Sequence, residues 1–588
     1  MQKVIQSVTG KNWRLKPVNE KRLLTILQKH SITEALARIV SHKDLDINDI
    51  SSYLEPKLKE LVPDPFHLLD MDKAVSRTIK AIKDKEKICV FGDYDVDGAT
   101  ASALLKNFFN DIGVNDVMLY IPDRILEGYG LNEGALETIK DAGVSLVITV
   151  DCGAVAFAAI DKASRLGLDT IVIDHHLGAS QLPKASAIVN PNRLDETTEY
   201  KYLAAVGVSF LFVIALCKTL KQKCYFENAA EPNLLKYLDL VALGTVCDVM
   251  PLVGLNRAFV SQGLKIMSKR QNLGLRALCD IARIESAPSC YHLGFVLGPR
   301  INAGGRVGKA SLGSQLLSCK DPLKAHEYSL LLDEYNNQRK FIEMQVFEEA
   351  QVLAEQCRND PVIIVAREGW HPGVIGIIAG KLKELYTKPT AVIAIKDGIG
   401  KASCRSIKGV DFGSKIVEAK FSDLIIEGGG HAMAGGFAVE AAKIDMLRKF
   451  LCQAIEEDLR NLGDICRYEY DAELNINSLT LELASEIEKL EPYGNGNPEP
   501  FFRIDNLYIL EAKIISGSHI SCLFGKQKGS YGGGSLRAIA FNAASTELGK
   551  YLMSEKPHNL SVIFSIKVNR YNNKERVNLT ITDLLVND

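Results

Sequence analysis

The strongest constraint on this chain lies between residues 87 and 191, where short, uninterrupted apolar runs alternate with amphipathic stretches. KICVFGDY, VMLYIPD, LVITVDCG, TIVIDHH and AIVNP read as strands. ATASALLKNFFNDIG, EGALETIKDAG and AVAFAAIDKASRLG read as the helices between the first four. Strands that are apolar on both faces and separated by helices specify a parallel, doubly wound α/β sheet. Open sheets of this kind bind ligands outside the carboxyl ends of their strands. Three of those ends carry acids: Asp93 with its neighbours, Asp151, and Asp174. Side chains far apart in the chain are therefore expected to converge on one site.

Composition narrows the class. With 47% hydrophobic and 24% charged residues among 588, the chain is neither disordered, collagen-like nor a coiled coil, and its length suggests several domains. The formal net charge of -2 means that a nucleic-acid site must be a local basic groove. The longest apolar run, 203–217, is shorter than the ~20 residues of a membrane helix and reads as a buried core helix. No membrane partner is expected. Residues 1–11 lack an apolar h-region, so no secretory signal is expected. Thirteen cysteines form no Cys-x-x-Cys pair, which argues against a disulfide framework or structural zinc and for a cytoplasmic protein with reduced thiols.

The pattern divides the chain into five parts. Residues 1–75 are mixed and uninformative, and 76–321 hold the α/β sheet. In residues 322–357 no Gly or further Pro follows Pro322, and charge is spread along the segment, the pattern of a solvent-bridging helix. Residues 358–462 form a second α/β unit, with PVIIVA and AVIAI as strands, HPGVIGIIAGKLKEL as a helix and GGGHAMAGG as a loop. Residues 463–588 switch to period-two runs, among them FRIDNLYILEAKII, LSVIFSIKVNRY and ERVNLTITDLL. These read as an all-β module, a small barrel.

Asp93-Tyr-Asp95-Val-Asp97-Gly98 is the sharpest local signal. An EF-hand loop begins the same way but needs Glu at its twelfth position, where Leu104 stands, and a helix rather than a strand before it. A helix cap would need one Asp. Three alternate carboxylates at a strand end repel one another unless cations neutralise them. Asp174-His175-His176 ends another strand. Without a second His or Cys at a zinc-ligand spacing, an oxygen-rich site with one imidazole suits manganese or magnesium. Asp151 and Asp248, taken singly, read equally well as helix caps.

Together these residues resemble the DHH phosphoesterase superfamily and, within it, the bacterial RecJ family of single-strand-specific exonucleases. The resemblance runs from about residue 60 to 588. It rests on GDYDVDGAT, YIPDRILEGYGL, VDCG, DHH, LVALGTVCDVMPL, LGPRINAGGRVG, WHPGVIGI, CRSIKGVD, GGGHAMAGGF and YGNGNPEP. Departures are small: DCG for the frequent DNG, RINAGGR for RINAAGR, and Cys404 where small residues are common. The extra C-terminal domain of some relatives is not expected after the β-module.

The resemblance implies a two-metal site for Mn2+ or Mg2+. Asp95 and Asp151 hold one ion; Asp97, Asp151, His175 and Asp248 hold the other, with Asp151 bridging. Asp93 lies at the edge and orients a water, and His176 contacts the scissile phosphate or donates a proton. Two such cations activate water and stabilise attacking and leaving oxygens. Arg300, Asn302 and Arg306 on a loop, Arg405 and Ser406 after a strand, and the Gly428-Gly429-Gly430-His431 turn are implied to hold phosphate across an interdomain cleft. Arginine offers planar donors, and glycine lets backbone N–H groups approach an anion. Alone, each motif reads as a surface salt bridge or a tight turn. Trp370 and Tyr129 read equally well as base-stacking or core residues. Lys526, Lys528, Lys567, Arg570, Lys574 and Arg576, with Tyr531 and Tyr571, read as a DNA-binding face of an oligonucleotide-binding fold or as ordinary solvated surface.

The expected function is a metal-dependent exonuclease that degrades single-stranded DNA to 5′-mononucleotides in the 5′-to-3′ direction, in DNA repair and recombination. Both polarity and sugar preference come from the resemblance. It also suggests a single-strand-binding protein, a helicase and a recombination mediator as partners. One rival is a DHH phosphodiesterase for short oligoribonucleotides or cyclic dinucleotides, from which the region after Gly463 distinguishes it. Another is a non-catalytic single-strand-binding scaffold, against which the retained carboxylates argue.

Overall fold

The chain is described by a computed structural model covering residues 7–124, 127–128, 130–227, 230–461, 467–526, 535–554, 559–571 and 574–587. It forms two compact units. The first comprises Pro63–Asp248 and Gln262–Gly463. Its sheet is built from β1 (Ile88–Gly92), β2 (Val117–Tyr120), β3 (Leu146–Val150), β4 (Asp169–Ile173) and β5 (Ala187–Val189). All pairings are parallel, in the order β2-β1-β3-β4-β5. β1 and β3 are buried along their whole length, as their continuous apolar runs require. The order reverses at β1, so the crevice at its carboxyl end is a topological switch point.

Three helices carry or support the acids at that edge: α1 (Val96–Asp111), α4 (Ala205–Gln222) and α5 (Leu238–Cys247), with α2 (Glu133–Asp141) and α3 (Phe157–Arg165) as crossovers. α4 contains most of the 203–217 run. It is long and apolar enough to cross a membrane but is mostly buried inside the protein, a core helix as the sequence suggested. α5 packs on α1 and α4 through Gly244. A Cβ there would collide with the Thr100 hydroxyl and stand 2.7 Å from Val206 and 2.9 Å from the Asp97 carboxylate.

The RINAGGR segment, expected as a loop, is a helix, α6 (Gly298–Val307), with Pro299 in its first turn. α7 (Pro322–Gln356) runs 35 residues. Its charges suggested exposure all round. Instead a stripe of Ala325, Ser329, Leu332, Asn336, Arg339, Glu343, Val346, Ala350 and Ala354 is buried. Steps of three and four residues keep that stripe on one face, and small or paired polar side chains fill it, so hydropathy alone does not reveal it. Arg339 and Glu343 pair there, and Lys381 reaches Glu343 at 2.6 Å.

The second sheet contains β6 (Ile363–Glu368), β7 (Thr390–Lys396) and β8 (Ile399–Arg405), with α8 (Ile375–Tyr386) between β6 and β7. After α9 (Phe412–Phe421), GGGHAMAGG forms not a loop but a hairpin, β9 (Glu427–His431) and β10 (Ala434–Glu440). The order is β9-β10-β8-β7-β6. Glycine makes the hairpin possible: Gly430 has φ +156°, and a Cβ there would meet the Gly435 backbone.

The second unit joins three segments, Met1–Val62, Val249–Ser261 and Asp464–Asp588. Phe502–Ile515, His519–Gly525, Leu536–Ala540, Lys574–Asn587 and Asn559–Tyr571 pair in that order, and the last returns to the first, closing a five-stranded barrel. This is the small barrel that the period-two runs suggested. Asn12–Leu15 pairs in parallel with Arg467–Tyr470, and Leu23, Ile26 and Leu36 share a core with Phe502 and Phe564. Arg257, almost fully buried, donates to the carbonyls of Tyr53, Lys489 and Leu490 and so ties the three segments together.

Replacing Gly244 with Ala should cost about 1–3 kcal/mol, the usual penalty for overpacking. It should also weaken metal binding, because the added methyl presses on Asp97. Thermal unfolding with and without Mn2+ measures both. An unchanged melting temperature would mean that α5 can shift without strain.

Candidate metal centre and phosphate cavity

Backbone devices hold each acid in place. Asp95 is the N-cap of α1, its Oδ1 accepting from the N–H groups of Asp97 (2.9 Å) and Gly98 (3.1 Å). Gly98 is obligatory, since a Cβ there would stand 2.5 Å from the Asp93 carbonyl oxygen. Asp97 accepts from the N–H groups of Ala205 (2.6 Å) and Val206 (2.9 Å) at the start of α4, where the helix dipole favours an anion. Asp151 follows β3 with φ +61°, a left-handed backbone that is uncommon outside glycine. Asp248 caps the C-terminus of α5.

Asp174 is buried and accepts from Ala154 N–H (2.9 Å), His175 N–H (2.7 Å) and His176 N–H (3.2 Å), and binds His176 Nδ1 at 2.7 Å. It therefore orients both histidines rather than joining the cluster itself. His175 Nε2 points at three carboxylates, 3.3 Å from Asp151 Oδ1, 3.5 Å from Asp248 Oδ2 and 3.9 Å from Asp97 Oδ2.

These residues form three overlapping groups whose donor atoms lie within 4.8 Å of one another: Asp93, Asp95 and Asp151; Asp97, His175 and Asp248; and Asp151, His175 and His176. The structure thus assembles all seven residues that the sequence nominated for metal and catalytic roles. The donors are carboxylate oxygens and imidazole, without thiolate, a set that suits hard divalent cations. The buried Oδ1 of Asp93 has no hydrogen-bond partner among the described residues.

Electrostatics support the same reading. Burial, then the charge of Asp95, pushes Asp93 up to about 8 and Asp248 up to about 7. Asp97 and Asp151 are raised well above the carboxylate range, first by burial and then by neighbouring carboxylates. Burial and His176 hold His175 down to about 4, a neutral imidazole able to ligate a metal. Burial also acts to lower His176, but the hydrogen bond and charge of Asp174 outweigh it and raise it to about 9.

Beside this anionic cluster lies a cavity of about 340 Å³ lined by Arg124, Arg306, Lys401, Ser403 and Arg405, with Gly435 and Gly436 of β10. Arg306 donates to the Gly373 carbonyl at 2.7 Å. Burial, then repulsion from Arg124, Arg339 and Arg405, lowers Arg306 to about 10. Crowded cations of this kind suit a phosphate. Gly305 joins the two sites: it lines the cavity, and a Cβ on it would lie 3.2 Å from the carbonyl of Tyr94, between Asp93 and Asp95. Arg124 packs over the Tyr94 ring at 4.9 Å.

Of the nominated phosphate residues, Arg306 and Arg405 line the cavity. Arg300 is on α6 instead of a loop, bound to Asp333 (2.8 Å) and the Val296 carbonyl (2.8 Å). Asn302, on the same helix, Gly428, Gly429, Gly430 and His431 are not among the lining residues; the glycines of the facing strand, 435 and 436, are. Ser406 is buried, its hydroxyl donating to Val410 within the turn after β8. Trp370 is a core residue, 5% exposed, with Nε1 donating to Glu349. On the barrel, Lys567 pairs with Glu499, and Arg570 with Glu488 and Glu575. Lys526 contacts Asn477, while Lys574 and Arg576 are exposed. Tyr129, Lys528 and Tyr531 lie outside the described residues, as does the Tyr571 side chain.

Lys401 and Ser403 do not stand out in the sequence by themselves. They alternate with Arg405 along β8, a period-two signal that puts all three on one face. Arg124 sits in the YIPDRILEGYGL segment just past the end of β2.

Comparison with known proteins gives a consistent result. Residues 87–245 match the DHH family N-terminal domain, 359–457 the DHHA1 domain and 470–583 the RecJ OB domain. The chain is 30% identical over 583 residues to the single-stranded-DNA-specific exonuclease RecJ of Bacillus subtilis, covering 98% of this chain and 71% of that one. The crystal structure of RecJ from Thermus thermophilus with Mn2+ superposes with a TM-score of 0.79 at 25% identity, covering 100% of this chain and 80% of that one. Its complex with Mg2+ gives 0.73 at 25% identity, covering 98% and 78%.

Replacing Asp151 with Asn, which tolerates the left-handed backbone, should leave the fold intact and raise the melting temperature in chelator by removing a repelling charge. The Mn2+-induced rise seen in the parent should largely disappear. The chelated parent should itself lose stability as pH rises from about 4, where these carboxyls ionise in the unfolded chain, up to about 7 and 8, where Asp248 and Asp93 ionise in the folded one, and level off above. Thermal melts from pH 5 to 9 read all three effects, and a flat profile would contradict the assigned burial.

Proposed function

The chain belongs to the RecJ family of single-stranded-DNA-specific exonucleases, and from that membership we propose that it degrades single-stranded DNA in the 5′-to-3′ direction to 5′-mononucleotides, using two Mn2+ or Mg2+ ions. The observation that carries this reading is the carboxylate–imidazole cluster bordered by the arginine-rich cavity. Asp95 and Asp151 would hold one ion, and Asp97, Asp151, His175 and Asp248 the other. Bound there, the ions supply an activated water and charge neutralisation for the phosphodiester.

The chain's own groups do the rest. Arg124, Arg306 and Arg405 bind and orient a phosphate of the strand end. Asp93, at the edge of the cluster, accepts a hydrogen bond from the attacking water. His176 keeps its Nδ1 proton against Asp174 and presents Nε2 to the scissile phosphate, a protonated imidazole placed to neutralise or protonate the leaving oxygen. In this reading residues 76–321 and 358–462 supply the walls of the site, 322–357 connects them, and 463–588 holds the strand. The working setting is DNA repair and recombination in the cytoplasm, with a single-strand-binding protein, a helicase and a recombination mediator as partners. Family membership supports that setting.

The deciding assay offers single- and double-stranded DNA and RNA, labelled at either end, with Mn2+, Mg2+ or chelator. Release of labelled mononucleotide from the 5′ end of single-stranded DNA, abolished by chelator, is the expected result. Faster turnover of short RNA or a cyclic dinucleotide would favour the smaller-substrate phosphodiesterase reading instead.

Arg306 and Arg300 should separate in mutagenesis. Arg306→Ala removes a charge-assisted phosphate contact and should cost about 1.5–3 kcal/mol in kcat/KM. Arg300→Ala should cost less, since Arg300 is engaged by Asp333. Equal losses, measured on a short oligonucleotide, would put Arg300 in the substrate path as well.

A further inference from the structure

Residues 290–307 form one helical stretch that widens into a π turn over His292–Leu297 before continuing as α6. A π turn is rare, and it is found frequently at functional sites. Its inner side packs on the end of α5: Cys247 Sγ lies 3.3 Å from the Leu293 carbonyl, and a Cβ on Gly294 would touch Val246 at 3.7 Å. Its outer side carries Tyr291 and Phe295, which are 63% and 74% exposed. Their rings stack on each other, with centroids 5.5 Å apart and planes 23° apart.

Two large aromatic rings left this open lose the hydrophobic stabilisation that burial would bring. Their position gives a reason. Val246 and Cys247 lead directly into Asp248, one of the metal-cluster acids. Farther along the same stretch, about 20 Å at helical rise, Gly305 and Arg306 reach the Tyr94 loop and the cation cavity. A single helical stretch therefore runs from a flat aromatic surface, along the acid-bearing end of α5, to a phosphate pocket.

Resting on the function proposed above, we infer that Tyr291 and Phe295 are a base-stacking platform for single-stranded DNA. With the strand end seated toward Arg306, the platform meets nucleotides on the far side of the scissile bond, in the part of the strand still to be degraded. Stacking uses the π face that every base has, so it grips a strand without reading its sequence. A base paired in a duplex has both faces covered by its neighbours and cannot use the platform. The pair thus contributes to single-strand preference through positioning, with no part in the chemistry.

The test uses the full-length protein with Tyr291→Ala, Phe295→Ala, the double replacement, and the aromatic-conserving Tyr291→Phe and Phe295→Trp. The substrates are a 20-nucleotide single strand and the same strand with abasic residues at the second to fourth positions. The double replacement should raise KM on the ordinary strand about tenfold, change kcat less than twofold and leave KM on the abasic strand unaltered. Aromatic replacements should restore the parent KM. In parallel, 2-aminopurine at those positions, bound without divalent metal, should be quenched by the parent and not by the double variant. Equal losses on ordinary and abasic strands, no change in KM, or no difference in quenching would overturn the platform. Failure of the parent to cleave any single strand would instead count against the nuclease reading, while quenching would still decide the stacking. Both side chains are exposed, so circular dichroism should show an unchanged fold.

Discussion

Like charges buried together govern this architecture. Asp93, Asp97 and Asp151 are almost fully buried at the carboxyl edge of one sheet, with Asp95 and Asp248 beside them. In an ordinary core such a group would be disfavoured by desolvation and mutual repulsion. Here each position is over-determined by backbone geometry. Asp95 caps one helix, Asp97 takes the first amides of another, Asp151 sits on a left-handed backbone, and Asp174 fixes the two histidines through their own amides. The polypeptide holds the acids together largely through backbone amides, with His176 as the cationic side chain in the cluster, and that arrangement stores affinity for divalent ions.

The neighbouring cavity has the opposite sign. Arg124, Arg306 and Arg405 repel one another as the carboxylates do. A metal-neutralised phosphodiester is the kind of species that relieves both halves together, its phosphates meeting the arginines and its bridging region the cluster. Each half is electrostatically disfavoured alone, and in the proposed reading the two together complement the substrate, which is how preorganised electrostatics favour one reaction over others.

How much of this is legible in the sequence depends on what each segment needs from distant parts of the chain. The five parallel strands are legible because a strand buried on both faces must be continuously apolar. The metal cluster follows, because the carboxyl ends of such strands converge by topology. The hairpin at Gly428 to Gly436 reads as a loop because glycine weakens strands locally. What it actually serves, the close approach of two backbones, is a tertiary property. The buried stripe of α7 is hidden for a similar reason: Ala, Ser and an Arg–Glu pair have no hydropathy signature, and their burial depends on the surface they meet. Residues 1–62 give little sign that their apolar side chains complete a barrel core at the other end of the chain. In the cavity, Arg405 stands out by its motif. Lys401 and Ser403, earlier on the same strand, do not, although period two links them to it.

The interleaving of segments has a consequence for how the protein is made. Everything in the metal-bearing unit has been synthesised once Gly463 has emerged, so that unit can fold while the ribosome is still working. The segment Met1–Val62 is synthesised before that unit but must wait for Asp464 and beyond to find its core. At roughly 5–20 residues per second, the ~400 intervening residues impose a delay on the order of 20–80 s. During that interval Leu23, Ile26 and Leu36 have no native partners on the barrel, and the nascent chain carries this apolar surface unpaired. Demand for chaperones should therefore fall on residues 1–62 rather than on the α/β unit that follows them.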